Sequence, residues 1–328
     1  MSENKLNVVA VENSKDKIPA NNKLQSPSAR REEAQAQFER LWLTNPEKFN
    51  PLKDCMGRER IHRSWKAIKA ALDVSEKRAT DLGCGYGVLT LKLRDAGASV
   101  DAVDIASIAL RHLQEHHDMR AIRPIQDWVP KTRLKDDDYD LVLSTDLIGY
   151  LHPADFRLFF SELARLVKSD GTVICSTLVD IHSEDSLERF KELAETELAI
   201  KELVYSYHSL YIRICDFFDA PRHFYKASKD PEYRFRQLSK RRGLRQTWFK
   251  YNSTMVLGAF WGIINLIAEP VAKVLHSSKN LMLFLERICR FLWDKAGISH
   301  VILVGKRKPL VVPSPTPILG KERTRKWE

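Results

Sequence analysis

The sequence predicts an α/β fold, a doubly wound and mostly parallel sheet of seven strands with a helical cap or insertion. Short apolar stretches of strand character alternate with helical patterns between residues 79 and 178, which is typical of a parallel sheet covered by helices on both faces. A glycine-rich turn directly follows the first of these strands. The 328 residues, 44% hydrophobic and 29% charged, have the composition of an ordinary globular protein.

The alternating part of the chain contains five predicted strands. They cover residues 79–82, 99–104, 122–128, 139–145 and 172–178. Helical periodicity fills the gaps at 88–96, 108–117 and 153–166, and two further helices are predicted upstream at 29–43 and 58–72. This order of elements predicts a Rossmann-like sheet.

The regular alternation of strands and helices ends after residue 178. Helical stretches are predicted at about 183–213 and 231–242, a strand at 244–251, two apolar helices at about 254–275 and 279–296, and a last strand at 300–304. We therefore predict one domain over residues 29–308, with a ligand-binding core at 58–180 and a helical cap or insertion at about 183–299.

Both ends of the chain are predicted to be tails. Residues 1–28 are polar and lack periodicity, and residues 309–328 are basic and proline-rich. The first residues lack the basic and apolar regions of a secretory signal. The five cysteines are scattered without a CxxC pair, so no metal site is predicted and a reducing compartment is expected. Together these features predict a cytoplasmic protein.

The formal net charge of +10 is unevenly distributed. Residues 221–250 hold ten Lys and Arg against two acids, a net charge of +8, and residues 305–328 have a net charge of +5. Such segments attract phosphate on nucleic acid or on an anionic membrane. They are equally compatible with a solvated helix face and a basic tail.

The strongest local motif is the turn after the first strand, which reads Asp81-Leu-Gly83-Cys-Gly85-Tyr-Gly87. Glycines in such a turn allow backbone angles that other residues avoid and let a ligand approach the main chain. The second strand ends at Asp104, 23 residues after Asp81, where a carboxylate can accept both ribose hydroxyls of a nucleoside cofactor.

These residues resemble motifs of the class I S-adenosylmethionine (SAM)-dependent methyltransferases. The turn is similar to the first motif, VDAVDIA to the second, YDLVLSTDLIGYL to the fourth, and LARLVKSDGTVICST to the fifth strand with its preceding turn. The resemblance covers about residues 58–180. It implies SAM as the cofactor, with Gln126, Asp127 and Trp128 near the adenine. Thr145, at the end of the fourth strand, completes the expected cofactor-binding set.

A finer resemblance concerns the region before the first strand. FERLW at 38–42, FNPL at 49–52 and Arg60 resemble the lead-in of quinone-biosynthesis O-methyltransferases. That match implies that Arg60 binds the methionine carboxylate of SAM, with Arg63 as the substitute. The segment DLIGYLHPADF also resembles some chlorophyll-pathway O-methyltransferases. The chain departs from the quinone type in lacking a Glu-His pair after the fourth strand and in its longer, more apolar C-terminal part.

Candidates for a catalytic role lie after the fourth strand, because such sheets bind ligands beyond the carboxyl ends of their strands. They are His152, Tyr150 and Asp146, and His208 and His223 could approach from the insertion. An oxygen or nitrogen acceptor needs a group that accepts its proton.

Three functions are compatible with these motifs. The first is SAM-dependent methylation of an oxygen or nitrogen of a small, hydrophobic or membrane-associated acceptor. The second is methylation of RNA or protein by means of the basic segments, although the Asn/Asp-Pro-Pro-aromatic run of several such classes is absent. The third is a non-catalytic SAM-binding or membrane-associated protein.

The apolar helices at about 254–296 have two interpretations. They can pack as a cap on the sheet or over the site. Alternatively, they can form a peripheral membrane patch flanked by basic segments. The first helix ends its apolar run at Glu269-Pro270 and falls short of about 20 apolar residues. The second is amphipathic, with Glu286, Arg287 and Arg290 on one face.

Overall fold

The computed structural model describes residues 26–179, 186–239, 241 and 243–309. Seven strands form one sheet in the order β3-β2-β1-β4-β5-β7-β6. Strands β1 to β5 are parallel to one another, and β7 pairs antiparallel with both β5 and β6. The predicted seven-stranded, mostly parallel sheet is confirmed. The strands are β1 Arg78–Leu82, β2 Ser99–Asp104, β3 Ile122–Gln126, β4 Tyr139–Thr145, β5 Val167–Leu178, β6 Leu198–Ser206 and β7 His300–Arg307.

Helices cover both faces of this sheet. On one face, helices α2, α3 and α4 pack around Ile68, Leu93 and Leu113. On the other face, α5 and α6 pack around Phe160 and Phe190. The described helices are α1 Pro27–Thr44, α2 Cys55–Ala71, α3 Val88–Asp95, α4 Ser107–His116, α5 Phe156–Leu166, α6 Ser186–Glu195, α7 Ser209–Lys229, α8 Pro231–Ser239, α9 Leu244–Asn252, α10 Met255–Ser277 and α11 Lys279–Trp293.

Two predictions about the C-terminal half were wrong. The region 183–213, predicted as helical, contains strand β6, and the predicted strand at 244–251 is helix α9. Strand β6 lies at the edge of the sheet and is only half-buried, so its side-chain alternation is weak. In α9 the aromatic residues suggested a strand, but Trp248 and Tyr251 are exposed while Phe249 packs into the helical insertion.

The insertion therefore occupies residues 207–299, between β6 and β7, and not the whole of 183–299. Helix α6 and strand β6 belong to the sheet. Residues 1–25 and 310–328, which include nearly all of the predicted tails, lie outside the described residues.

Helix α7 is the base of the insertion. It packs against α10, and Gly258 and Gly262 allow the two helices to approach closely at Ser228 and Tyr225. At the other end, Tyr211 donates a hydrogen bond to the Leu275 carbonyl over 2.8 Å. The Tyr211 hydroxyl also lies 3.2 Å from the thiol of Cys55 on α2. The insertion is thus anchored to the sheet domain through α2.

Replacement of Gly258 by alanine should destabilise the protein. The added Cβ would overlap the Ser228 side chain, and such overpacking costs about 1–3 kcal/mol. The better helix propensity of alanine offsets up to about 1 kcal/mol of this cost. Urea denaturation followed by circular dichroism should show a lower free energy of unfolding than in the wild type.

Gly149→Ala is the matched control, because nothing lies within 4 Å of an added Cβ at that position. Equal stability of Gly258→Ala and Gly149→Ala would contradict the close packing of α10 on α7.

Candidate functional site

The glycine-rich turn forms the floor of the candidate site. Gly83 and Gly87 have φ values of +76° and +71°, which favour glycine. A Cβ at Gly83 would lie 2.8 Å from Leu147 Cδ1, and one at Gly87 would lie 2.5 Å from Leu113 Cδ1. Close packing of the turn against Leu147 and Leu113 thus adds a third reason for glycine to the backbone angles and the ligand approach predicted from the sequence.

Two buried carboxylates flank this turn. Asp81 accepts a hydrogen bond from the Thr90 hydroxyl over 2.6 Å. Asp104 accepts hydrogen bonds from the N–H groups of Gly85 and Ala106 over 3.0 and 2.9 Å. Burial raises the pKa of each carboxyl group from 3.8 to about 6. No described cationic side chain forms an ion pair with either of them.

The pocket around these carboxylates suits SAM. Its sulfonium and ammonium groups would supply the missing positive charge, and its ribose hydroxyls would supply hydrogen-bond donors to Asp104. Arg60 also faces the cleft, and its buried Nε has no hydrogen-bond partner among the described residues. This orphaned donor fits the predicted contact with the methionine carboxylate.

Asp146 occupies the end of β4 in a left-handed conformation, with φ +57°. Its Oδ1 accepts hydrogen bonds from His300 Nε2 and the Ser176 hydroxyl, each over 3.0 Å. Arg60 Nη1 lies 3.4 Å from Oδ2. Burial opposes ionisation of Asp146, but the charge of Arg60 and the contacts with His300 and Ser176 outweigh it and lower the pKa. The group is therefore a carboxylate at neutral pH.

His300 was missed by sequence reasoning. It is fully buried, and burial lowers its pKa, so the ring is neutral at pH 7. Since Nε2 donates to Asp146, Nδ1 is the unprotonated nitrogen, and it has no partner among the described residues. No local motif marks this histidine. It reaches the site because β7 runs antiparallel to β5 and starts at the edge where β4 and β5 end.

The other two predicted catalytic residues also line the cleft. The ring of Tyr150 packs against Phe38, with centroids 5.7 Å apart. Nδ1 of His152 accepts a hydrogen bond from the Ala154 N–H over 3.2 Å. The basic nitrogen of a neutral His152 ring is therefore engaged, and its Nε2 is left as a donor. Catalytic roles for these two residues stay predictions.

The predicted adenine contacts separate into two groups. Trp128 and Thr145 line the cleft, whereas Gln126 and Asp127 do not. Asp127 is buried and accepts hydrogen bonds from the backbone N–H groups of Trp128 and Arg133, each over 2.8 Å. Gln126 Nε2 donates to the Ile105 carbonyl over 3.1 Å. In this structure both side chains stabilise the loop after β3, and their contact with SAM stays a prediction.

Three residues named as alternatives lie in different places. Arg63 is paired with Glu286 over 2.6 Å and does not line the cleft, so it is a poor substitute for Arg60. His208 is buried 3.5 Å from the same glutamate. His223 lines the cleft, and its Nδ1 lies 2.6 Å from the Tyr233 hydroxyl.

Helix α1 covers the glycine-rich turn. Trp42 is buried against Tyr86, with ring centroids 5.0 Å apart. Glu39 accepts hydrogen bonds from the N–H groups of Ser107 and Ile108, at the start of α4. An anionic side chain is stabilised at a helix N-terminus. Helix α1 thus covers the cofactor end of the cleft. The contacts of Trp42 and Glu39 that hold this helix in place were not predicted from the sequence.

The cleft continues from the turn into the insertion, with a volume of about 2140 Å³. Its far end lies between the sheet edge and helices α7, α8 and α9. That end combines aromatic and aliphatic side chains, which include Tyr211, Ile212, Phe224, Tyr233, Trp248 and Phe249, with about as many polar and charged ones, which include Asp216, Asp219, Arg222, His223, Lys226 and Arg241. Among the described residues, no group of three or more His, Cys, Asp or Glu side chains could hold a metal ion.

Comparison with known proteins agrees with this geometry. The family model of the methyltransferase domain matches residues 79–171. The chain is 24% identical over 131 residues to ubiquinone biosynthesis O-methyltransferase of Pelagibacter ubique, a match that covers 40% of this chain and 54% of that protein. It is 30% identical over 147 residues to the enzyme of that name from Nitrosomonas europaea, covering 44% of this chain and 55% of the relative.

A third relative has a different name. Ribosomal protein L11 methyltransferase of Wolinella succinogenes is 25% identical over 139 residues, which are 42% of this chain and 49% of the relative. The chain thus spans about half the length of the curated relatives it matches.

Solved structures with a similar arrangement include a SAM-dependent methyltransferase from Aquifex aeolicus, with a TM-score of 0.41 and 17% identity, covering 49% of this chain and 92% of that one. Geranyl diphosphate C-methyltransferase from Streptomyces coelicolor has a TM-score of 0.44 and 11% identity, covering 77% of this chain and 78% of that one.

SAM affinity should fall as the pH drops below about 6. The raised pKa values of Asp81 and Asp104 mean that both are partly protonated there in the free protein. A cationic ligand rich in hydroxyl groups favours their ionised forms, so binding releases protons. Affinity should fall by up to about tenfold per pH unit for each proton released. Titration calorimetry in two buffers of different ionisation enthalpy measures both effects.

Asp104→Asn should weaken SAM binding at pH 7.5 by about tenfold or more and reduce its pH dependence. Asp95→Asn, on the exposed surface of α3, is the matched control and should bind normally. A constant affinity from pH 5 to 7.5 would rule out this role for the two buried carboxylates.

Proposed function

Because this chain contains a class I SAM-dependent methyltransferase domain, we propose that it transfers the SAM methyl group to an oxygen or nitrogen of a small, hydrophobic acceptor. The observation behind this proposal is the single cleft that joins the anionic cofactor pocket to an aromatic compartment in the insertion. The compartment offers aromatic surface to an apolar part of the acceptor and polar side chains that can fix its orientation. Two relatives described above are named as O-methyltransferases acting in ubiquinone biosynthesis.

SAM supplies an electrophilic methyl group on a sulfonium, which reacts by in-line displacement. The chain must hold the acceptor atom on that line and keep water away. Leu147 packs on Gly83, so the end of β4 is adjacent to the glycine-rich turn. Asp146 directly follows β4 and lines the same cleft as the turn and the insertion, which supports a position close to the transferred methyl group.

We assign Asp146 the role of orienting the acceptor. With a lowered pKa it is a poor base in the ground state, but it remains a good hydrogen-bond acceptor for an O–H or N–H. As the new bond to carbon forms, that O–H or N–H becomes much more acidic, and the carboxylate can then accept its proton. His300 and Arg60 keep the carboxylate in place through their contacts with Oδ1 and Oδ2.

Methylation of RNA or protein is the second candidate. It is favoured by the basic residues of the insertion and by the relative named ribosomal protein L11 methyltransferase. Non-catalytic SAM binding is the third. We propose a cytoplasmic location for each of the three.

Incubation with methyl-labelled SAM and fractions of a cell extract should distinguish these functions. We expect label in the organic-soluble fraction, because the aromatic side chains of the compartment suit an acceptor with a large apolar part, and no label with Asp104→Ala. Label confined to RNA or protein would support the second candidate. Normal SAM affinity without label in any fraction would overturn catalysis and support the third.

Asp146→Asn should lower the rate of methyl transfer by about 10²-fold while changing the dissociation constant of SAM by less than about threefold. The amide keeps the size of the side chain but cannot accept the proton. Single-turnover rates with the labelled acceptor fraction and equilibrium SAM titrations measure the two effects.

Asp95→Asn again serves as the exposed control. Full methyl-transfer activity of Asp146→Asn would remove Asp146 from the mechanism. Loss of SAM binding in that variant would instead assign Asp146 to the cofactor site.

A further inference from the structure

Helix α10 exposes a long apolar face. By composition and length it is the one described helix that could cross a membrane, yet only 17% of its most apolar window is buried. With 3.6 residues per turn, the exposed positions fall within an arc of about 160°. That face contains no charged residue until Lys273. Its large members are Met255, Val256, Phe260, Ile263, Leu266, Ile267, Val271 and Val274.

The opposite face of α10 packs against the rest of the protein along the length of the helix. Gly258 and Gly262 contact α7 near the N-terminal end, and Ala272 and Leu275 are buried near the C-terminal end. The helix is about 34 Å long at 1.5 Å per residue. It is therefore held along its length against α7, with one side presented outward.

The segment that contains this helix has a net positive charge. Residues 207–299 contain 16 Lys and Arg against 7 Asp and Glu, a net charge of +9, whereas residues 1–206 contain 30 against 34, a net charge of −4. Lys229 follows Ser228, which Gly258 contacts, and Lys250 lies on the preceding helix. Both lysines are exposed. At least two exposed lysines thus lie on helices next to α10, in a segment with a net positive charge.

Exposed aromatic side chains occur on the helices that precede and follow α10 in the chain. Trp248 and Tyr251 on α9 are 57% and 68% exposed, and Trp293 at the end of α11 is 48% exposed. Trp and Tyr favour the boundary between lipid headgroups and hydrocarbon. An exposed apolar helix face in a segment that also has exposed Lys, Trp and Tyr side chains has the composition of a helix that lies in a membrane interface.

We propose that the α10 face docks in the plane of an anionic lipid bilayer. The positive charge selects anionic headgroups, and the apolar face enters the boundary of the acyl chains. The helix does not cross the bilayer, because α7 would bring Asp219, Arg222 and Lys226 with it into hydrocarbon. Docking does not depend on methyl transfer. Trp248 both lines the cleft and is exposed, so the bound surface would lie at the mouth of the acceptor compartment.

Vesicle flotation tests the proposal with the full-length chain. We expect binding to vesicles of phosphatidylcholine mixed with phosphatidylglycerol, at least about tenfold weaker binding to phosphatidylcholine alone, and release as salt is raised. Ile267→Glu should weaken binding to anionic vesicles by about tenfold or more. Leu43→Glu on α1 should leave it unchanged; the two positions are matched in exposure, at 76% and 71%.

A second pair of variants tests the charge. Lys229→Glu combined with Lys250→Glu should reduce the preference for anionic vesicles, whereas Lys135→Glu, at an exposed position of the sheet domain, should not. Each variant must show the circular dichroism spectrum and SAM affinity of the wild type, which separates loss of docking from misfolding.

Three results would overturn the proposal. The first is equal binding of Ile267→Glu and Leu43→Glu to anionic vesicles. The second is a wild-type dimer in solution that dissociates in Ile267→Glu without any vesicle binding, which would assign the face to a second copy of the chain. The third is resistance of the bound protein to alkaline carbonate extraction, which would indicate a spanning helix.

Discussion

His300 donates a hydrogen bond to Asp146 over 3.0 Å because β7 enters the sheet antiparallel, between β5 and β6. The strand starts at the edge where the parallel strands end, so its first residue pairs with Leu178 at the end of β5, and the side chain of that residue reaches Asp146 after β4. The same reversal requires the chain between β6 and β7 to return to that edge. The insertion therefore begins and ends next to the candidate site, and its helices form the far wall of the cleft.

A second group of buried charges attaches the insertion to the sheet domain. Glu286 on α11 accepts two hydrogen bonds from Arg63 on α2, over 2.7 and 2.6 Å. Burial opposes its ionisation, but His208 and Arg63 outweigh this effect and lower its pKa. Since the pKa in the folded state is below its ordinary value of 4.5, this contribution to stability is present above that pH and is lost on acidification. Arg63 also pairs with Glu59 over 3.0 Å, so removing Arg63 would take a cation from two buried carboxylates, at a cost of about 3–5 kcal/mol.

The two parts of the cleft differ in charge. Around the glycine-rich turn, Asp81 and Asp104 make the pocket anionic. Because burial raises both pKa values to about 6, a cation or hydrogen-bond donor that binds there changes the protonation of the two carboxyl groups. The insertion has most of the net positive charge of the chain, on a surface with an exposed apolar helix. A cationic cofactor and an anionic surface would therefore be attracted to different regions of one molecule.

The sequence by itself determined the parallel part of the sheet, the glycine-rich turn and the carboxylates Asp81 and Asp104, because each depends on neighbours in the chain. A strand, its turn and the next helix are specified by local periodicity and by glycines at fixed spacing. The sequence also located Arg60 and Asp146, which the structure brings together in the cleft. It did not identify strand β6 or helix α9, since an edge strand and a half-exposed helix have weak periodicity. Only the tertiary structure decided that His300 meets Asp146, that Glu39 caps α4 and that α10 faces outward. The first two contacts join residues 154 and 68 positions apart. The third depends on which face of a uniformly apolar helix packs on α7. No local pattern in the sequence specifies any of the three.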